Sequence, residues 1–390
     1  MLSNSGTWMQ TAAVPYVAFQ LSGRDGGVGV TAFWQFIPIM LMSAVGGTIA
    51  DRFDRRKLLM ATQVSSAVMA GVLWWLVGSG RVTVVSLSAV VFVAGLFGGL
   101  NVPIWQAFVS ELVPKDDLLN AVTLNSTQFN AARAIGTFSA GLVIAVWSPS
   151  VVFAINAVSF VVVLIALVMI RDRGPRLLAE RSNIVREFVE GVHYVRRTPA
   201  LLTCCLAVAL LSGVASPLFT FLSGSYGGEV FRISGWRLGL LWAGSGIGSL
   251  MVAPKLLSSG GSTPRSSQLR VAMGCYGLGT ITVGLAPHWI VGVIGMMVFG
   301  GSYLAIASAL NTTIQLVARE DMRGKSVAIY IMSLTTALPF GLLLWGFAAD
   351  RFGIQAVTIV AGIVMALATV AFEFSGRFST MTDVGARAHA

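Results

Sequence analysis

Twelve apolar runs, each about as long as a membrane is thick, recur along this chain of 390 residues. About 20 consecutive apolar residues cross roughly 30 Å of hydrocarbon as a helix. In lipid every backbone N–H and C=O must be paired internally, which leaves helices or closed barrels. The runs lie at 3–22, 29–50, 58–78, 82–109, 117–146 and 150–170, then at 200–223, 235–257, 268–286, 288–317, 325–349 and 354–374. With 55% hydrophobic and 11% charged residues, and a mean hydropathy of +0.80, the chain has too little polar surface for a water-soluble globule. The expected fold is an all-α polytopic membrane protein with twelve transmembrane helices. The polar stretch 171–199 divides them into two six-helix pseudo-repeats, 1–170 and 200–376, with a tail at 377–390. Within the linker, Val185, Phe188, Val189, Val192 and Val195 recur at helical spacing against charged faces. An amphipathic helix lying on the cytoplasmic leaflet fits that pattern.

The net charge of +10 would suggest a nucleic-acid partner in a soluble protein. Here it is explained by topology, because cytoplasmic loops collect Lys and Arg. Twenty of the 26 fall on the side of the loop around Asp51; Arg24, Arg81, Arg232, Arg237 and Arg351 fall on the other, and Arg133 lies within the fifth span. Both termini are thereby expected in the cytoplasm and the spans in a plasma (inner) membrane. Cys204, Cys205 and Cys275 sit in apolar runs, and His193, His288 and His389 are widely separated, so neither a disulfide framework nor a metal site is expected. No cofactor and no nucleotide-binding loop is read. The first span begins almost at Met1 and carries Ser3, Asn4, Ser5, Thr7 and Gln10. Its polarity fits a helix facing a cavity, and its lack of a basic lead suggests a start upstream of Met1.

The loop between spans two and three, Gly46 to Lys57, reads GGTIADRFDRRK. Its glycines let a neighbouring helix come close, and its charges stand where the chain leaves hydrocarbon. This order resembles the signature that joins the second and third helices in the major facilitator superfamily of transporters. The resemblance implies a cytoplasmic gate of Gly47, Asp51, Arg52, Arg55, Arg56 and Glu111. In it Asp51 meets the N-terminus of the eleventh helix near Gly324, and Arg55 pairs with the acid beneath the fourth helix. The loops Val113–Asn120 and Val317–Gly324 share an acidic pair before a helix, as expected of a duplicated transporter.

Span five carries Thr123, Ser126, Asn130, Arg133 and Thr137 at steps of three and four. A polar stripe in lipid must face protein or a water-filled cavity, while Gly136, Ala140 and Gly141 suit close helix packing. The run Asn130–Gly136 resembles the fifth helix of the enterobactin-exporter and macrolide-efflux branch. It departs from that branch at Thr137, where Pro is usual, which weakens an antiporter reading. Trp8 and Gln10 in span one and Asn101 and Trp105 in span four look like the same branch. With Asn130 and Arg133 they form the candidate substrate cavity. Arg133 stands midway along its span and no Asp or Glu lies well inside any span, which leaves two readings: bonding to backbone carbonyls and polar side chains of neighbouring helices, or recognition of an anionic or catecholate-like substrate group. The reading is a monomeric secondary transporter, not an enzyme, exporting a siderophore-like, macrolide or other amphipathic compound and coupled to an ion such as the proton. An importer, a cationic multidrug exporter and a non-transporting sensor are the alternatives the residues leave open.

Overall fold

The computed structural model describes residues 1–112, 118–169, 184–258 and 264–381; within its helices the side chains of Gly47, Asp51, Arg52, Glu111 and Asn130 are among those outside the described set. The chain is helical and forms twelve long helical segments among the described residues. The first six are α1 (Leu2–Ser22), α2 (Asp25–Arg52), α3 (Arg55–Gly78), α4 (Val84–Leu112), α5 (Leu118–Val146) and α6 (Pro149–Met169), followed by the short α7 (Ile184–Arg197). The seventh segment is built in pieces: α8 (Pro199–Leu210), a π-helical turn at Leu211–Ala215, α9 (Ser216–Phe221) and a second π-helical stretch at Leu222–Val230. The rest are α10 (Trp236–Ser258), α11 (Arg265–Leu285), α12 (Trp289–Val317), α13 (Glu320–Phe352) and α14 (Ile354–Phe374). Among the described residues seven segments are long and apolar enough to span a membrane on composition alone. Polar residues such as Ser3, Asn4, Thr7 and Gln10 explain why α1 is not one of them.

Local chemistry sets several ends. Asp54 caps α3 by accepting from the Lys57 N–H at 3.1 Å, which satisfies one of the first-turn donors. Gly23 (φ 61°) and Gly353 (φ 83°) reverse the chain after α1 and α13 in a region side chains disfavour. The start of α13 at Glu320 puts an acid beside the exposed N–H groups of the first turn, where it is favoured.

The chain groups into two compact units, Met1–Glu180 with Thr220–Ala243, and Arg181–Phe219 with Gly244–Ala390. Inside each, the same helix pairs meet. In the first, α2 packs on α4, α3 on α6 and α1 on α5; in the second, α10 packs on α12, α11 on α14 and α8 on α13. This recurrence is the pseudo-repeat at the level of contacts. Small residues carry it: a Cβ on Gly95 of α4 would stand 2.6 Å from the Gln35 carbonyl oxygen and from Pro38 of α2. In the second unit Gly300 of α12 abuts the Ser245 backbone of α10, and Gly248 of α10 abuts Met297. Without a hydrophobic drive between helices in lipid, such close backbone approach is the main source of packing energy.

Candidate functional site

Within the first unit the fifth helix meets α1 and α6. A Cβ on Gly136 would lie 2.9 Å from Trp8 Cβ and against the Ser5 carbonyl, so α1 and α5 touch through a bare glycine. This contact brings the Trp8 ring beneath Arg133, whose guanidinium carbon stands 5.7 Å from the ring centroid. Both residues are half-buried. A cation over an indole face is worth about 0.5 to 2 kcal/mol, which offsets part of the roughly 2.5 to 3.5 kcal/mol an Arg costs at mid-span. Thr137 is buried and donates to the Arg133 carbonyl at 2.8 Å, so this member of the polar stripe is satisfied within its own helix.

Asn101 and Gln10 are engaged by α3 and α6, which the sequence did not nominate, and Trp105 by α5. Asn101 Oδ1 accepts from Thr62 Oγ1 at 3.1 Å and Gln63 Nε2 at 3.3 Å, both on α3. Trp105 Nε1 donates to Asn125 Oδ1 of α5 at 3.2 Å, and Gln128 Nε2 reaches the same oxygen at 3.4 Å. The Trp105 ring also packs on the core of Leu59, Ile104, Phe108 and Leu167. Gln10 Oε1 accepts from Asn156 Nδ2 at 2.8 Å, and Asn156 is fully buried. Two acceptors in this network, Gln63 Oε1 and Gln128 Oε1, are buried without a hydrogen-bond partner among the described residues. Thr62, Gln63, Asn125, Gln128 and Asn156 were detectable only as polar residues inside apolar spans. Asn130 lies outside the described side chains.

Of the gate motif, Gly47, Asp51, Arg52 and Glu111 also lie outside the described side chains. Arg55 opens α3. Arg56 does more than mark topology: its Nε and Nη2 donate to the Leu167 and Val168 carbonyls at 2.7 and 2.8 Å. These are carbonyls of the last turn of α6, where orphan acceptors and the helix dipole favour a cation. Arg56→Gln is expected to destabilise the purified protein by about 1 kcal/mol, the net worth of such bonds at a half-exposed site. Thermal unfolding in detergent reads this, and an unchanged midpoint contradicts it.

At the opposite end of these helices, the buried Asp25 of α2 accepts a hydrogen bond from Ser225 in the second π-helical stretch. Gly141 of α5 meets Gly239 of α10 backbone to backbone. Those contacts explain why Thr220–Ala243 belongs with the first unit. Single-turn π-helical deviations are rare and concentrate at functional sites.

Twelve helical segments in two like-paired bundles, with polar seams buried inside one of them, define a polytopic membrane carrier. The profile described as transmembrane secretion effector matches residues 1–388, and the chain belongs to this family of the major facilitator superfamily. It is 24% identical over 375 residues to the multidrug efflux pump Tap of Mycobacterium tuberculosis, covering 93% of this chain and 88% of Tap. It is 25% identical over 386 residues to the staphyloferrin A transporter of Staphylococcus aureus, covering 95% of this chain and 93% of that protein. A solved POT family transporter, in complex with a thioalcohol conjugated peptide, has the same fold, with a TM-score of 0.75 at 13% identity over 97% of this chain and 96% of that one. The protein is thus a membrane transporter of small molecules and not an enzyme.

Proposed function

We propose that the protein exports an amphipathic small molecule across the plasma (inner) membrane by alternating access, driven by a coupled ion such as the proton. In this reading it works as a monomer with both termini in the cytoplasm. The halves 1–170 and 200–376 move about the cytoplasmic linker 171–199. The observation that carries the reading is the Arg133–Trp8 pair. It sets a flat cation on an aromatic face midway along α5, a surface suited to a ring-bearing substrate with an acidic or catechol-like edge. The similarity to Tap, an efflux pump by name, supports the outward direction.

Trp8 and Arg133 are the residues proposed to touch substrate. Gln10, Asn101, Trp105 and Asn130 shape the wall around them. The gate of Gly47, Asp51, Arg52, Arg55, Arg56 and Glu111 closes the cytoplasmic side, with Asp51 at the first turn of α13. The contact of Asp25 with Ser225 closes the outer side and must open for release.

Inside-out vesicles from a deletion strain expressing the protein, given a panel of siderophores, macrolides and cationic dyes with and without a proton gradient, test this directly. Gradient-dependent uptake into such vesicles of at least one amphipathic compound is expected. In the same vesicles Asp51→Asn should slow uptake severalfold without loss of membrane level, since a helix-terminal charge contact contributes about 0.3 to 2 kcal/mol. Uptake only in right-side-out vesicles would overturn export, and an Asp51→Asn rate equal to the parent's would remove the gate.

A further inference from the structure

A second charged site lies apart from the proposed substrate path, where α7 docks on the first turn of α13. A cavity of about 460 Å³ opens there, lined by Glu190, His193, Tyr194 and Arg197 of α7 and by Arg319 and Lys325 at the start of α13. Its walls are fixed by specific contacts. Gly191 lets the two helices close together, since a Cβ there would stand 3.2 Å from Lys325 Cβ, and Val195 is buried beside it. Lys325 Nζ holds Glu190 Oε2 at 2.8 Å. The Arg319 N–H donates to Tyr194 OH at 3.2 Å, and the Arg319 guanidinium lies 5.8 Å from the Tyr194 ring centroid. Among the described lining residues, Arg197, Arg319 and Lys325 face one carboxylate, Glu190, which Lys325 pairs.

The same helix exposes two large apolar side chains. Phe188 and Val189 are 44% and 59% exposed; at about 100° per residue Phe188 points opposite Glu190 and Arg197, and Val189 lies on the arc between, beside Arg196. One side of α7 thus packs on protein, a second offers Phe188 and Val189 next to Arg196, and a third turns Arg197 to the cavity. A helix of this make-up rests with its apolar face in the headgroup and acyl boundary, which puts the cavity at the depth of the phosphates. We infer that the cavity binds the headgroup of an anionic phospholipid. The excess positive charge selects for an anionic headgroup, and the exposed Phe188 and Val189 favour a membrane lipid over a soluble phosphate. Only the choice of leaflet rests on the topology proposed above.

The test uses the purified full-length protein in detergent, read by thermal unfolding during titration with phosphatidylglycerol, phosphatidylcholine, glycerophosphoglycerol or inorganic phosphate. Saturable stabilisation by phosphatidylglycerol alone is expected. Arg197→Gln should weaken the apparent affinity about fivefold or more, in line with the pull of one cation near an anionic surface. Arg196→Gln removes the same charge one residue away, outside the cavity lining, and should leave the affinity unchanged. Arg319→Gln is a second, independent lining variant, expected to behave like Arg197→Gln. Equal stabilisation by phosphatidylcholine, equal stabilisation by the soluble phosphates, or equal losses in Arg196→Gln and Arg197→Gln would each overturn the lipid site. The measurement needs no transport, so its failure leaves the export reading standing, and failure of export leaves the lipid site standing.

Discussion

Gly300→Val is expected to lower the unfolding stability of the purified protein by about 3 kcal/mol, the upper end for overfilling a packed interior. A side chain at Gly300 would run into the Ser245 backbone of α10. Backbone cannot swing aside as the tip of a flexible residue does, so the two helices must part. Parting them also disturbs Gly248 against Met297 and Gly301 against Val252, which share the seam. Gly274 of α11 is the control, because no neighbouring atom stands within 4 Å of a Cβ there. Gly274→Ala should hold or raise stability by up to about 1 kcal/mol, as removal of glycine from a helix interior does. Thermal unfolding of both variants in one detergent decides the matter, and equal midpoints for Gly300→Val and the parent refute it.

Arg133→Gln is expected to cut transport about tenfold or more while leaving membrane insertion intact or improved. The two effects have opposite signs for one reason. A mid-span Arg costs roughly 2.5 to 3.5 kcal/mol to bury, so its removal eases insertion, while the substrate loses a cationic surface worth up to about 2 kcal/mol, more than a decade in affinity. Arg133→Lys should fall between the two, since an ammonium keeps the charge but loses the flat face that stacks. Trp8→Ala should behave like Arg133→Gln, and Trp8→Phe should retain much of the activity. Substrate binding by purified Arg133→Gln at the parent's affinity, with a normal amount in the membrane, would make Arg133 a structural residue.

The spans were legible because most are long, mainly apolar runs, and the polar break after α6 was equally plain. Their ends were less so. α13 starts at Glu320, five residues before its apolar run, because a charged first turn carries no hydrophobic signal yet is favoured by the helix dipole. The seventh span reads as ending at 223, with a Gly- and Ser-containing loop after it, but the chain there continues as a π-helix to Val230, held on α2 through Ser225 and Asp25.

The site was legible residue by residue but not in its pairings. Trp8, Gly136 and Arg133 each stood out in the sequence, whereas their meeting depends on α1 crossing α5, which no local pattern encodes. Gln10, Asn101 and Trp105 were read as lining a cavity. Each also makes a hydrogen bond to another helix, a pairing that a polar group in an apolar bundle needs but no local pattern encodes. Arg56 was legible as a cation of the loop motif; its place as a cap on α6 required knowing which helix ends beside it.

That cap has a mechanical consequence. Arg56 grips the last turn of α6 at Leu167 and Val168, and the chain leaves α6 at Met169 toward the linker. Asp51 lies five residues before Arg56, across the short turn from α2 to α3. One guanidinium therefore ties the start of α3 to the end of α6, so that within the first unit these two helix ends shift as a pair.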